Sequence, residues 1–119
     1  MQNKIFIRLL STSLLLFSIV INLNAQVPNS GTYTYKYCDI EYNKCLGNCK
    51  IKIKGNKIWI YAPANLSGIK EGDLYESGTL YKRANGKWII IRSEKDKKLN
   101  SDSYGSLWID FKRKQFWSF

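Results

Sequence analysis

Apolar and polar residues alternate along most of this chain, the two-residue period of half-buried strands rather than the 3.6-residue period of helices. The clearest stretch is IKIKGNKIWIY, residues 51–61. Two alternating runs flank Gly55-Asn56, a dipeptide suited to a two-residue hairpin turn. Folding the chain about it sets Ile53 opposite Ile58 and Ile51 opposite Ile60 on one face. The other face pairs Lys54 with Lys57, Lys52 with Trp59 and Lys50 with Tyr61. One face is core. The other is a ladder of lysines and rings.

The same period recurs on both sides of this hairpin. Residues 31–38, GTYTYKYC, alternate Tyr33, Tyr35 and Tyr37 with Thr32, Thr34 and Lys36. Pro63 ends the hairpin, and APANLSGIKEGD reads as a loop of turn formers with room for one helical turn. Residues 74–83 form the next strand, with Gly78 marking a bulge or bend. Ala84-Asn85-Gly86 then turns the chain into KWIIIRS. A three-residue turn puts Gly86 in the left-handed region and Lys82 opposite Trp88, whereas a two-residue turn puts Arg83 opposite Trp88. Either register sets a cation against a tryptophan.

SEKDKKLNSDSYG is polar and mixed in charge, the composition of a mobile connection. GSLWIDF alternates Leu107, Ile109 and Phe111 against Trp108 and Asp110, and KRK turns the chain into a last short strand, QFWSF. The pattern predicts an all-β fold, a small antiparallel barrel or rolled meander sheet of about six to seven strands. In architecture alone the layout resembles a shortened lipocalin-like barrel, a likeness that does not fix function.

The first 25 residues stand outside this pattern. Lys4 and Arg8 supply a positive start, residues 9–21 an apolar run and Leu23-Asn24-Ala25 a cleavage site, the three parts of a secretory signal peptide. The run is short for a membrane span, which needs about 20 apolar residues, and no later segment is apolar enough to make one. The expectation is an exported protein, periplasmic or extracellular, with residues 26–119 forming a single domain. Removal of the leader leaves 17 basic residues against 9 acidic ones, a net charge of +8. That balance favours an anionic partner: a glycan, an envelope component or an acidic protein. No motif for reading bases is present, so sequence-specific nucleic-acid binding is not expected.

Cys38, Cys45 and Cys49 lie within CDIEYNKCLGNC. Three thiolates would need Asp39 or Glu41 to complete a zinc site; in an exported chain a disulfide is the simpler reading. The expected pair is Cys38–Cys49, closing the mouth of the loop between two strands and leaving Cys45 free, with Cys45–Cys49 as the rival.

The chain has no histidine, which removes the commonest general base and rules out serine–histidine or cysteine–histidine nucleophile pairs. No phosphate-loop, dinucleotide or metalloprotease motif occurs. Two carboxylate pairs, Asp73 with Glu76 and Asp39 with Glu41, are what nine acids give by chance, and Asn65-Leu66-Ser67 is a bare glycosylation pattern. No catalytic residue, cofactor or metal is expected. The candidate binding face comprises Lys50, Lys52, Trp59 and Tyr61, with Arg83 and Trp88 as a second patch. Two other readings compete. One is an inhibitor acting through the cysteine loop and residues 62–73; the other is a ligand-carrying barrel lined by Tyr33, Tyr35 and Tyr37.

Overall fold

The computed structural model describes residues 26–98 and 106–119; residues 1–25, where the signal peptide is expected, and the connection 99–105 lie outside them. Seven strands follow in order: β1 (Gly31–Asp39), β2 (Lys44–Lys54), β3 (Lys57–Tyr61), β4 (Leu74–Lys82), β5 (Trp88–Ile91), β6 (Leu107–Asp110) and β7 (Gln115–Ser118). Each pairs antiparallel with the next, and the sheet closes into a barrel in sequence order. The closing pair is parallel, with Lys36–Asp39 of β1 beside Gln115–Ser118 of β7. An odd number of alternating strands leaves the first and last pointing the same way, so one parallel seam is unavoidable. Closure pairs β1 and β7, the two strands that an open meander would leave as its edges.

The Gly55-Asn56 hairpin has the register that alternation predicts, with Ile51↔Ile60 and Ile53↔Ile58 on the inner side and the three lysine-containing pairs outside. Gly55 takes φ 60 while Asn56 stays at negative φ, the pattern of a primed turn with glycine first. Open space surrounds the position of an added Cβ, so the φ alone penalises a side chain. Gly55→Val is expected to cost about 1 kcal/mol or more, read as a lower denaturation midpoint.

The interior is filled by the chain's own side chains. Phe116, Ile51, Ile53, Ile58 and Ile60 are fully buried, and Tyr35 and Tyr37 nearly so. The Tyr37 ring lies edge-on to Tyr75, and both lean on Phe116. The phenols find partners inside: the Tyr37 and Tyr75 hydroxyls are 3.1 Å apart, and Tyr75 reaches the Ser118 hydroxyl at 2.8 Å. This chain of hydroxyls satisfies polar groups that would otherwise be costly to bury. Burial, helped by the bond with Tyr75, holds the Tyr37 phenol well above its ordinary pKa. Burial likewise pushes Tyr35 up to about 12.

Two connections differ from expectation. Residues 62–73 contain no helical turn; Ala62 N–H donates to Asp73 O at 2.8 Å and Gly72 N–H to Ala62 O at 3.0 Å, extending the β3–β4 pairing. The polar connection after β5 is not wholly free either. Its start forms a 3-10 turn, Glu94–Lys98, packed against β5. Arg92 N–H donates to Asp96 at 2.8 Å, and the Arg92 guanidinium pairs with Glu76 at 3.5 Å. The hydrogen bond from Arg92 N–H holds the Asp96 carboxyl below its usual range. The reason is visible on β5: Ile89 and Ile91 alternate with the inward Ile90 and so face out, yet are buried. Three isoleucines in succession leave an apolar outer stripe that this turn helps to cover.

The disulfide joins Cys38 to Cys45, leaving Cys49 free and buried; the expected Cys38–Cys49 bridge is wrong. Cys49 lies opposite Tyr35 and belongs to the inner cluster, whereas Cys38 follows the inward Tyr37 and faces outward. The two thiols are on opposite sides of the sheet. A register shift after Tyr37 leaves Leu46 as the extra residue and brings Cys45 opposite Cys38. Closing so short a loop contributes about 2.5 kcal/mol. Burial pushes the Cys49 thiol up to about 11, so it stays protonated and enclosed at neutral pH. Peptide mapping without reduction should recover the 38–45 bridge, and native protein should resist alkylation at Cys49 until it is unfolded. Rapid native labelling of Cys49 would contradict its placement in the core.

Candidate functional site

The outer face of β1–β3 carries three rungs of side chains. Thr34, Lys50 and Tyr61 share one rung; Thr32, Lys52 and Trp59 share the next; Lys54 and Lys57 close the series at the hairpin. Alternation places these residues outside because their neighbours Cys49, Ile51, Ile53, Ile58 and Ile60 are needed inside. Lys52 Nζ sits 5.5 Å from the Trp59 ring centroid, and Lys57 Nζ donates to Thr79 Oγ1 at 2.7 Å. Among the described residues the ion pairs lie elsewhere, joining Arg92 to Glu76 and Asp96, Lys97 to Glu94, and Arg113 to Asp110. Lys50, Lys52 and Lys54 therefore present positive charge that no described carboxylate neutralises.

A concavity of about 340 Å³ adjoins the ladder. Thr32, Thr34, Lys50 and Tyr61 line its floor, and Ala62, Glu71 and Gly72 of the β3–β4 connection line its wall. Threonine hydroxyls, an ammonium and a phenol converge there beside apolar surface, the mixture expected where a polar ligand is held against a sheet. Glu71 is the single carboxylate on its border.

Arg83 and Trp88 do not join this face or each other. Gly86 takes φ 88, Lys82 is the residue opposite Trp88, and the Lys82 ammonium is 5.8 Å from the Trp88 ring. Trp88 belongs to the inner side, edge-on to Phe111 at 6.0 Å between centroids. Arg83 lies on the opposite side of β4 with its Nε buried and unpartnered.

A second aromatic feature escaped the sequence reading. Trp108 and Trp117 stack across β6 and β7, centroids 5.2 Å apart and planes 5° from parallel, and Lys87 Nζ lies 3.8 Å over Trp108. The signal was present. Trp108 and Trp117 are both out of phase with the core residues beside them, and the KRK turn pairs Asp110 with Gln115, which sets the two indoles opposite. With a ring against it and a cation over it, Trp108 has little face left for a ligand. Stabilising the seam near β7 is its evident role.

Of the carboxylates paired by sequence, Asp39 and Glu76 serve local structure, as does Asp110. Asp39 accepts the Tyr42 N–H at 3.2 Å, Glu76 pairs with Arg92, and Asp110 accepts the Arg113 N–H at 2.9 Å. Two of the three thiols are joined in the disulfide, and among the described residues no group of three or more candidate ligands gathers for a metal. No helix among them is long and apolar enough to cross a membrane. No protein-family model, curated protein or solved structure matches the chain.

Proposed function

We propose that the protein is an exported, non-enzymatic binding module whose β1–β3 outer face takes an anionic extracytoplasmic partner: a glycan, an envelope component or an acidic protein. The observation that carries this reading is the ladder itself. Cation–aromatic pairs stabilise a sheet by a fraction of a kcal/mol on their own, which accounts for Lys52 over Trp59. It does not account for Lys50 and Lys54, which have no ion pair or hydrogen-bond partner among the described residues, nor for the concavity beside them. A densely packed interior favours recognition on the outside over carriage within. The leader and the disulfide support export, and the absence of histidine supports a role without catalysis.

The test is a screen of acidic glycans and acidic peptides, with the best ligand then titrated against parent and Lys52→Glu protein. Lys52→Glu is expected to weaken binding about tenfold, since it deletes one attraction and adds a repulsion. Equal affinity for every ligand would remove the face from the site. One observation favours a second reading, that of an occluding inhibitor: Tyr42, Leu46 and Leu74 are 70%, 49% and 52% exposed, all on or beside the β1–β2 and β3–β4 connections. Binding that survives Lys52→Glu and high salt but fails on Tyr42→Ala would establish that reading instead.

A further inference from the structure

An up-and-down barrel sorts its six connections into two sets of three, one at each end. The β2–β3, β4–β5 and β6–β7 turns share one end with the start of β1. That end is strongly basic. The first turn carries Lys54 and Lys57, and the second Lys82, Arg83 and Lys87. The third is Lys112-Arg113-Lys114 itself. Across residues 54–57, 82–87 and 110–114, eight cations face one carboxylate, Asp110. Among the described residues of the connections at the other end, 39–44, 61–74, 91–98 and 106–107, six cations meet six carboxylates. Charge is thus polarised along the barrel axis, which no window of the sequence displays, because the three turns lie some 28 residues apart in the chain.

Two further features mark this end. Lys114 adopts φ 56, a left-handed conformation that glycine takes without strain and lysine does not. Its carbonyl accepts the Lys36 N–H at 2.9 Å, which fixes that conformation at the parallel seam. A turn shaped for stability alone would carry glycine there; this one keeps a cation. Second, Lys82 and Lys87 are held at this end over the rings of Trp88 and Trp108, so the indoles fix the position of two of the cations.

We propose that this basic end docks on a membrane surface bearing phosphate-containing anionic lipid headgroups. The cations come from three separate turns grouped around a barrel end, not from a line along a groove. They match charge spread over a plane better than charge strung along one chain. The route of the chain agrees. Residues 26–30 lead into β1 at this same end, so the apolar run at residues 9–21 is joined to the basic pole by a short stretch. Juxtamembrane lysines and arginines are drawn to an anionic membrane surface, each strengthening binding by roughly fivefold. Lys54 and Lys57 border both surfaces, but Lys112, Arg113 and Lys114 belong to the pole alone and Lys52 to the β1–β3 face alone, so the two assignments are tested by different residues.

The experiment is co-sedimentation of the exported protein with vesicles of phosphatidylcholine alone or mixed with phosphatidylglycerol, at low and high salt. Binding is expected only with phosphatidylglycerol and should fall steeply with salt. Lys114→Gly is the key variant: it should raise the melting temperature by relieving the strained φ, yet weaken vesicle binding roughly fivefold through loss of one cation. Lys112→Glu should weaken binding further, and Lys52→Glu on the other face should leave it nearly unchanged. Equal binding of Lys114→Gly, Lys112→Glu and parent would overturn the proposal. So would loss on Lys52→Glu alone, which would assign the lipid to the β1–β3 face. Retention on inorganic polyphosphate without binding to vesicles would make the pole a site for soluble polyanions and contradict membrane docking.

Discussion

Phe116→Ala is expected to destabilise the protein by about 4 kcal/mol, much of what a domain this small has to lose. Phe116 is fully buried and is the only phenylalanine in β7, a strand of four residues. Its ring packs against Tyr37 and Tyr75, at 5.9 and 6.1 Å between centroids. It therefore links β1, β4 and β7, on both sides of the parallel seam that closes the barrel. Truncation leaves a cavity walled by two tyrosines whose hydroxyls are tied to each other and to Ser118, so the walls cannot readily collapse inward. Urea titration of parent and variant measures the loss. A cost below about 1 kcal/mol would mean that β7 does not seal the barrel.

Gly78→Ala should cost about 3 kcal/mol, for the opposite reason. A Cβ at this position would lie 2.5 Å from the Ile91 carbonyl oxygen and 2.8 Å from Ile90 Cγ2. The isoleucine methyl has some freedom, but the carbonyl is main chain held in the β4–β5 pairing, where Thr79 meets Ile91. Relief requires the two strands to separate. Gly78 thus allows β4 and β5 to approach closely where the sheet curls. For a domain of this size that cost corresponds to a melting temperature lower by about 15 °C. An unchanged melting temperature would show that the strands are not so tightly apposed.

The core was legible because its signal is local. Alternation about Gly55-Asn56 fixed the register of β2 and β3, and Gly78 stood out as a strand glycine before its neighbours were known. What failed depended on bulges and on faces. One extra residue, Leu46, shifted β2 so that Cys45 rather than Cys49 met Cys38; loop length cannot reveal this, because the bulge is set by pairing. The outward burial of Ile89 and Ile91 was hidden for a related reason. Consecutive isoleucines do not say which of them faces in, or that a polar stretch such as Glu94–Lys98 will fold over the rest.

The candidate face divides along the same line. Lys50, Lys52, Trp59 and Tyr61 were correctly grouped because they share one hairpin and its period. Arg83 and Trp88 were grouped on a turn whose length alternation leaves open, and the three-residue turn sends them to opposite sides of the sheet. The stacked Trp108 and Trp117 and the basic pole needed pairings between distant segments. Such features arise only once the barrel closes.

The proposed binding face is tested most directly by separating its charge from its ring. The best acidic ligand is titrated at two salt concentrations against parent, Lys52→Glu and Trp59→Ala. Both side chains point away from the buried isoleucines, so both variants should fold. Lys52→Glu is expected to weaken binding and flatten its salt dependence, because an ionic contact is lost. Trp59→Ala should weaken binding while leaving the salt slope nearly unchanged, because it removes contact area and not charge. Two variants that match the parent in affinity and slope at both salt concentrations would contradict the binding face and leave its lysines and rings as supports of the sheet.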